Sequence, residues 1–130
     1  MLIAALALAA AQPAAEPAPE PPVDNEITVV ANRLRDWAGG WKLRKGAIAC
    51  KTTRSTGDKA IDAIGCNALV QCLTPLAPQF SALEKAKLSQ EETASRARAL
   101  HDEAKVWECV TDRRSDAIAA LVAARRSKRS

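Results

Sequence analysis

Between Thr52 and Cys72 polar and apolar residues recur with the period of a helix. Ile61, Ile64, Gly65, Ala68, Leu69, Cys72 and Leu73 fall three and four apart, while Asp62, Asn67 and Gln71 lie off that stripe. The pattern predicts an amphipathic helix. Ser55 or Thr56 is its expected N-cap, a hydroxyl accepting from an orphan first-turn amide. Asp58 then sits in the first turn, where a negative charge suits the helix dipole. Pro75 and Pro78 stop the helix, because proline lacks the amide and disfavours helical geometry before it. Gly65 on the buried side costs about 1 kcal/mol of helix propensity relative to Ala. Its place there predicts close approach by a neighbouring strand or helix.

Upstream the period shortens to two. A hairpin over Trp41–Lys51, turning at Lys45-Gly46, sets Arg44 opposite Ala47, Leu43 opposite Ile48 and Trp41 opposite Cys50. Directly opposite residues share a face. Trp41, Leu43, Ile48 and Cys50 therefore point one way, and Lys42, Arg44, Ala49 and Lys51 the other. One face is apolar and the other basic, as a half-buried antiparallel sheet requires. The β-branched run Glu26–Ala31 predicts a further strand.

Downstream, Phe80–Leu88 reads as a short helix or irregular segment. Ser89 with Glu92 three residues on is an N-terminal signature. The helix that follows carries Ala97, Leu100, Ala104 and Trp107 on one side, with Trp107 expected in the core. Cys109 points away from Leu100, so a helix break between Trp107 and Ser115, or a second covered face, is expected. Asp116–Arg126 is a last helix with Ile118, Leu121 and Val122 inward. The expected architecture is α+β: a small antiparallel sheet of about three strands packed on helices and stapled by two disulfides.

The beginning of the chain changes this picture. Met1–Ala11 is apolar and uncharged, and Pro13, Pro17, Pro19, Pro21 and Pro22 follow with Glu16 and Glu20 among them. This predicts a signal peptide over residues 1–11, a Pro-rich acidic linker over 12–24, one domain over 25–126 and a basic tail over 127–130. Lys and Arg are absent before the apolar core, which predicts a longer natural n-region. The run is too short to span a membrane, so no transmembrane segment is expected once the signal is removed. A periplasmic or secreted domain follows, and a domain this small usually needs staples. Cys50, Cys66, Cys72 and Cys109 supply them. The favoured pairing is Cys50–Cys72 with Cys66–Cys109, and the alternative is Cys50–Cys66 with Cys72–Cys109. The spacing contains no C-x-x-C and His101 stands apart from it, so neither metal nor cofactor is expected.

Charge is uneven. All 19 Lys and Arg follow position 27, against 11 acids over the same residues, an excess of eight positive charges from Thr28 to Ser130. Such a domain tends toward anionic surfaces. In an exported protein that means an acidic protein or an anionic envelope surface rather than nucleic acid. The expected basic face is Lys42, Arg44 and Lys51, helped by Arg125, Arg126, Lys128 and Arg129. A second candidate is an anion-binding turn at Lys51, Arg54, Ser55, Thr56 and Gly57, within Lys51–Asp58, where hydroxyls and cations surround a helix N-terminus. His101 has Asp102 and Glu103 beside it, but adjacent helical residues do not face each other. No G-x-S-x-G and no phosphate loop is present. The expected function is a non-enzymatic periplasmic interaction module. The alternative is a small anion-binding protein or enzyme centred on the turn.

Two resemblances accompany these readings. Glu26-Ile27-Thr28-Val29-Val30-Ala31 resembles the TonB box, the extended segment by which TonB-dependent outer-membrane receptors pair with TonB through β-augmentation. The match covers six residues, and the chain is too short for the receptor barrel. The whole chain, with C-K-T-T-R-S-T-G-D-K-A-I-D-A-I-G-C at its centre, resembles small uncharacterised exported proteins of Gram-negative bacteria. That resemblance implies a periplasmic domain of unknown function and brings no activity with it.

Overall fold

The computed structural model describes residues 23–129, so the expected signal peptide and most of the linker lie outside the described residues. Element order is α1 (Val23–Leu34), β1 (Ala38–Arg44), β2 (Ala47–Arg54), α2 (Lys59–Leu73), a 3-10 turn (Thr74–Leu76), α3 (Ala77–Lys85), α4 (Gln90–Glu103) and α5 (Val106–Arg129). The class is α+β, with one antiparallel sheet of two strands among the described residues.

The hairpin follows its predicted register: Arg44 faces Ala47, Leu43 faces Ile48 and Trp41 faces Cys50. Lys45 and Gly46 both have positive φ, 51° and 78°, the mirror-image turn that matches strand twist. A bulge at the far end sets Ala38 against Arg54 and Gly39 against Thr52, leaving Thr53 as the extra residue.

The expected third strand is corrected. Glu26–Ala31 lies inside helix α1. Its β-branched residues favour a strand only as far as packing permits. Here Ile27, Val30, Ala31 and Leu34 fall on one helical face and join Ile61, Ile64, Ile118 and Val122 in a core cluster. Burial of that face outweighs local preference.

Helix α2 buries the seven residues of the predicted stripe, Ile61 to Leu73. Its cap is Asp58, not Ser55 or Thr56. Asp58 has extended φ/ψ of −124° and 112°, and its side chain accepts from the amides of Ala60 and Ile61. Helix α2 ends at Leu73, just before Pro75, and each proline sits in the first turn of the next short helix, so the helical path continues past them. The helical run Lys59–Lys85 is long and apolar enough to cross a membrane, with mean hydropathy 1.3. In this fold its buried stripe faces the other elements, with Ile48 of the hairpin and Val106 and Val110 of α5 in one cluster with Ala68, Leu69, Cys72 and Leu73.

Ser89 caps α4 by accepting from the amide of Glu92 at 3.1 Å, as the spacing predicts. The break after α4 comes earlier than expected, at Lys105, which is held at φ 53°. That resets the helical phase. Val106 and Val110 turn inward, and Trp107 turns out to 63% exposure, which corrects its expected core position. The basic tail is also helical, because α5 runs to Arg129.

The disulfides are Cys50–Cys66 and Cys72–Cys109, and the favoured pairing is thereby corrected to the alternative one. The early break is the reason. Cys109 lies at the start of α5, and α5 runs back along α2 until Arg125 meets Asp58. Cys109 is therefore level with the late cysteine of α2. Cys50, one short connection before α2, meets the early one. Among the described residues no cysteine is free. Two disulfides fit an oxidising compartment outside the cytoplasm.

Trp37 joins the two halves of the core, packing against both clusters. Its indole Nε1 donates to Thr52 Oγ1 at 2.9 Å. The ring lies so close to Gly65 that a Cβ there would stand 2.5 Å from Cδ2 and Cε2. The close neighbour at Gly65 is therefore this indole, a side chain from the connection between α1 and β1, and not the strand or helix expected.

Candidate functional site

Between Ala38 and Arg54 the chain carries Lys42, Arg44, Lys45, Lys51 and Arg54 and no acid. Period-two alternation puts Trp41 and Leu43 on the inner face, where they pack with Ile48 against α2 and α3. Trp41 lies 4.8 Å from Phe80, ring centre to ring centre. Lys42 and Arg44 are consequently exposed. Lys51 stands across from Gly40, on the same outer face. Gly40 and Ala49 lie between the cations, and their small size leaves a shallow depression of about 500 Å³ edged by Lys42, Arg44, Lys51 and Thr53. Among the described residues none of the five hairpin cations is ion-paired.

The expected helpers at the C-terminus are placed differently. Arg125 Nη2 donates to Asp58 Oδ2 at 2.6 Å. Arg129 Nη2 donates to Glu26 at 2.5 Å, and Arg126 stands 3.8 Å from the same carboxylate. These arginines are engaged within the fold, tying the end of α5 to the starts of α1 and α2. Lys128 is exposed beside them.

At the turn Lys51–Asp58, the chain's own carboxylates fill the place of an anion. Asp58 Oδ1 takes the amides of Ala60 and Ile61 at 3.0 and 3.3 Å. Asp62 Oδ1 accepts from the Thr56 amide at 2.8 Å and the Thr56 hydroxyl at 2.7 Å, and the Ser55 hydroxyl donates to Oδ2. The Gly57 amide donates to Ser55 Oγ at 3.0 Å. The hydrogen bond from Arg125, helped by the two amides, holds the Asp58 carboxyl below its ordinary value against the opposing effect of burial. The Ser55 hydroxyl, followed by the Thr56 amide, does the same for Asp62. Lys51 and Arg54 remain exposed at the rim.

His101 is half-buried, its ring 5.4 Å from that of Trp107. Among the described residues no group of three His, Cys, Asp or Glu side chains comes together as metal ligands would. Arg114 is the feature that sequence reasoning passed over. Its guanidinium carbon stands 5.3 Å from the Trp37 ring centre. Burial alone lowers its affinity for the proton. The signal was present: Arg114 falls on the apolar stripe of α5, four residues from both Val110 and Ile118.

No protein-family model, curated protein or solved structure matches this chain.

Proposed function

We propose that the domain is a non-enzymatic interaction module of the bacterial periplasm whose basic hairpin face docks on an anionic envelope surface or an acidic partner. The observation that carries this reading is the hairpin itself, five cations without an ion pair among the described residues and no acid on a two-stranded frame. The inner face is locked by the Cys50–Cys66 disulfide and the Trp41–Phe80 contact. The outer cations are thus presented in fixed register. The alternative, an anion held at the turn Lys51–Asp58, has less to work with, since Asp58 and Asp62 occupy the amides that such an anion would take.

Attraction of this kind is long-ranged and screened over about 8 Å at physiological ionic strength, so binding should weaken steeply as salt rises. The test is co-sedimentation with vesicles containing anionic lipid, and pull-down with poly-glutamate beads, at low and physiological salt. Wild type should bind, and the Lys42→Glu/Arg44→Glu/Lys51→Glu variant should not. Equal binding by both proteins, or binding indifferent to salt, refutes the reading.

A further inference from the structure

We propose that the groove between α1 and α5 is a binding site for a small acidic amphiphile, with its acid head on Arg114 and its aliphatic tail along Ile27, Leu34 and Ile118. The groove is lined by these residues together with Ala31, Arg35, Thr111 and Ser115. It is a site separate from the basic hairpin face.

The argument begins with an unanswered charge. Arg114 Nε is sealed from solvent and has no acceptor. Among the described residues no carboxylate pairs with this guanidinium and no hydrogen bond reaches it. Its helical neighbours three and four residues away are Val110, Thr111, Ala117 and Ile118, none of them acidic. The Trp37 ring face lies against it, and a ring quadrupole answers a cation only in part. A partly buried charge without a counter-charge is costly, and an arriving anion removes that cost. The lowered proton affinity of Arg114 has the same origin. Arg35 lines the groove as a second cation, without an ion pair among the described residues, and Thr111 and Ser115 add hydroxyl donors.

The remaining wall is aliphatic, which selects a ligand with an apolar part over a bare anion. The groove holds about 330 Å³. That is the small end of the range for ligand pockets and suits one short chain rather than a two-chain lipid. Arg114 engages carboxylate and phosphate heads alike.

The test is calorimetric titration of the disulfide-bonded protein with octanoate, decanoate, octyl phosphate, octanol and inorganic phosphate. Octanoate and octyl phosphate should bind one to one, and octanol at least tenfold more weakly. Each added methylene should tighten binding about fourfold, so decanoate should exceed octanoate about fifteenfold. Arg114→Gln should weaken octanoate tenfold or more and leave octanol unchanged. Ser115→Phe, at an exposed position on the groove wall, should block all chained ligands. The Lys42→Glu/Arg44→Glu/Lys51→Glu variant should bind octanoate like wild type, which separates this site from the hairpin face. Absence of octanoate binding at millimolar concentration overturns the proposal. So does octanol binding equal to octanoate, phosphate binding equal to octyl phosphate, or unchanged octanoate binding by Ser115→Phe. If Arg114→Gln does not fold, the ligand series and Ser115→Phe decide.

Discussion

Replacing Gly65 by Ala should destabilise the domain, although the same change in an unobstructed helix would stabilise it. Alanine is favoured over glycine inside a helix by about 1 kcal/mol. Against that gain stands the Trp37 indole. A methyl at residue 65 would lie 2.5 Å from Cδ2 and Cε2 and 2.8 Å from Cε3. Ordinary carbon contacts need about 3.5 Å or more, so the ring must retreat by about 1 Å. Its retreat is limited, because Gly39 crowds Cζ2 and Cη2 and Thr52 holds Nε1. Overpacking of this kind costs about 1–3 kcal/mol. Loss of the Trp37–Thr52 hydrogen bond adds about 1 kcal/mol. With the helix gain subtracted, the net loss is about 2 kcal/mol, a fall in Tm of about 10 °C for a domain of this size. Urea unfolding followed by circular dichroism, with both disulfides intact, measures it. The decisive control is Gly65→Ala in a Trp37→Leu background, where the obstruction is gone and the change should become stabilising. A wild-type background in which Gly65→Ala raises stability would refute the tight-contact argument.

Gly46→Val should lower stability by about 1 kcal/mol or more, because Gly46 has φ 78° and valine tolerates that region poorly; an unchanged Tm would remove the mirror-image turn from the account. Peptide mapping under non-reducing conditions should recover Cys50 joined to Cys66 and Cys72 joined to Cys109, with no thiol labelled after denaturation; labelling of two or more would contradict the framework. Asp58→Ala should cost about 1–2 kcal/mol through the lost N-cap, read from chemical denaturation. Asp58 and Asp62 are held below the ordinary 3.8 in the folded state, so their contribution is present above about pH 4 and is lost as pH falls through the folded values. Acid unfolding should therefore be shallower in Asp58→Asn than in wild type, and identical profiles would count against the Arg125 contact.

How far the fold was legible depended on which signal each element used. The hairpin and α2 were readable because period, turn chemistry and register agreed with one another. Gly65 announced a close neighbour but not its identity, since a tryptophan 28 residues upstream carries no local mark of where it packs. Helix α1 was misread because Ile, Val and Thr favour strands locally, while its period of three and four was outweighed in that reading. The end of α4 was misplaced for a different reason. Lys105 takes the left-handed conformation usually marked by Gly or Asn, so the break had no glycine to show it. That single missed boundary displaced Trp107, the phase of α5 and the disulfide pairing together. At the candidate site, the hairpin cations were legible from alternation alone. The ion pairs that engage Arg125, Arg126 and Arg129 were not, because they join residues 67 or more apart.

The distribution of those ion pairs gives the charge excess its direction. Pairs this near the surface contribute little energy each, about 1 kcal/mol or less. Their effect on the surface field is larger, since each acid used at Glu26 or Asp58 cancels positive charge at the α1–α5 end. The hairpin has no such neutralisation. Lys42 and Arg44 are two apart on one strand and share a face with Lys51, an arrangement that repels itself. The fold sustains it by anchoring the opposite face through Cys50, Trp41 and Ile48. An anionic surface would relieve that repulsion, so docking and hairpin stability are linked. Anything that binds the folded face and not the unfolded chain must raise the unfolding temperature by mass action. Tm measured with poly-glutamate should thus rise in wild type at low salt and stay constant in the Lys42→Glu/Arg44→Glu/Lys51→Glu variant, and a rise of equal size in both would detach the field from the hairpin.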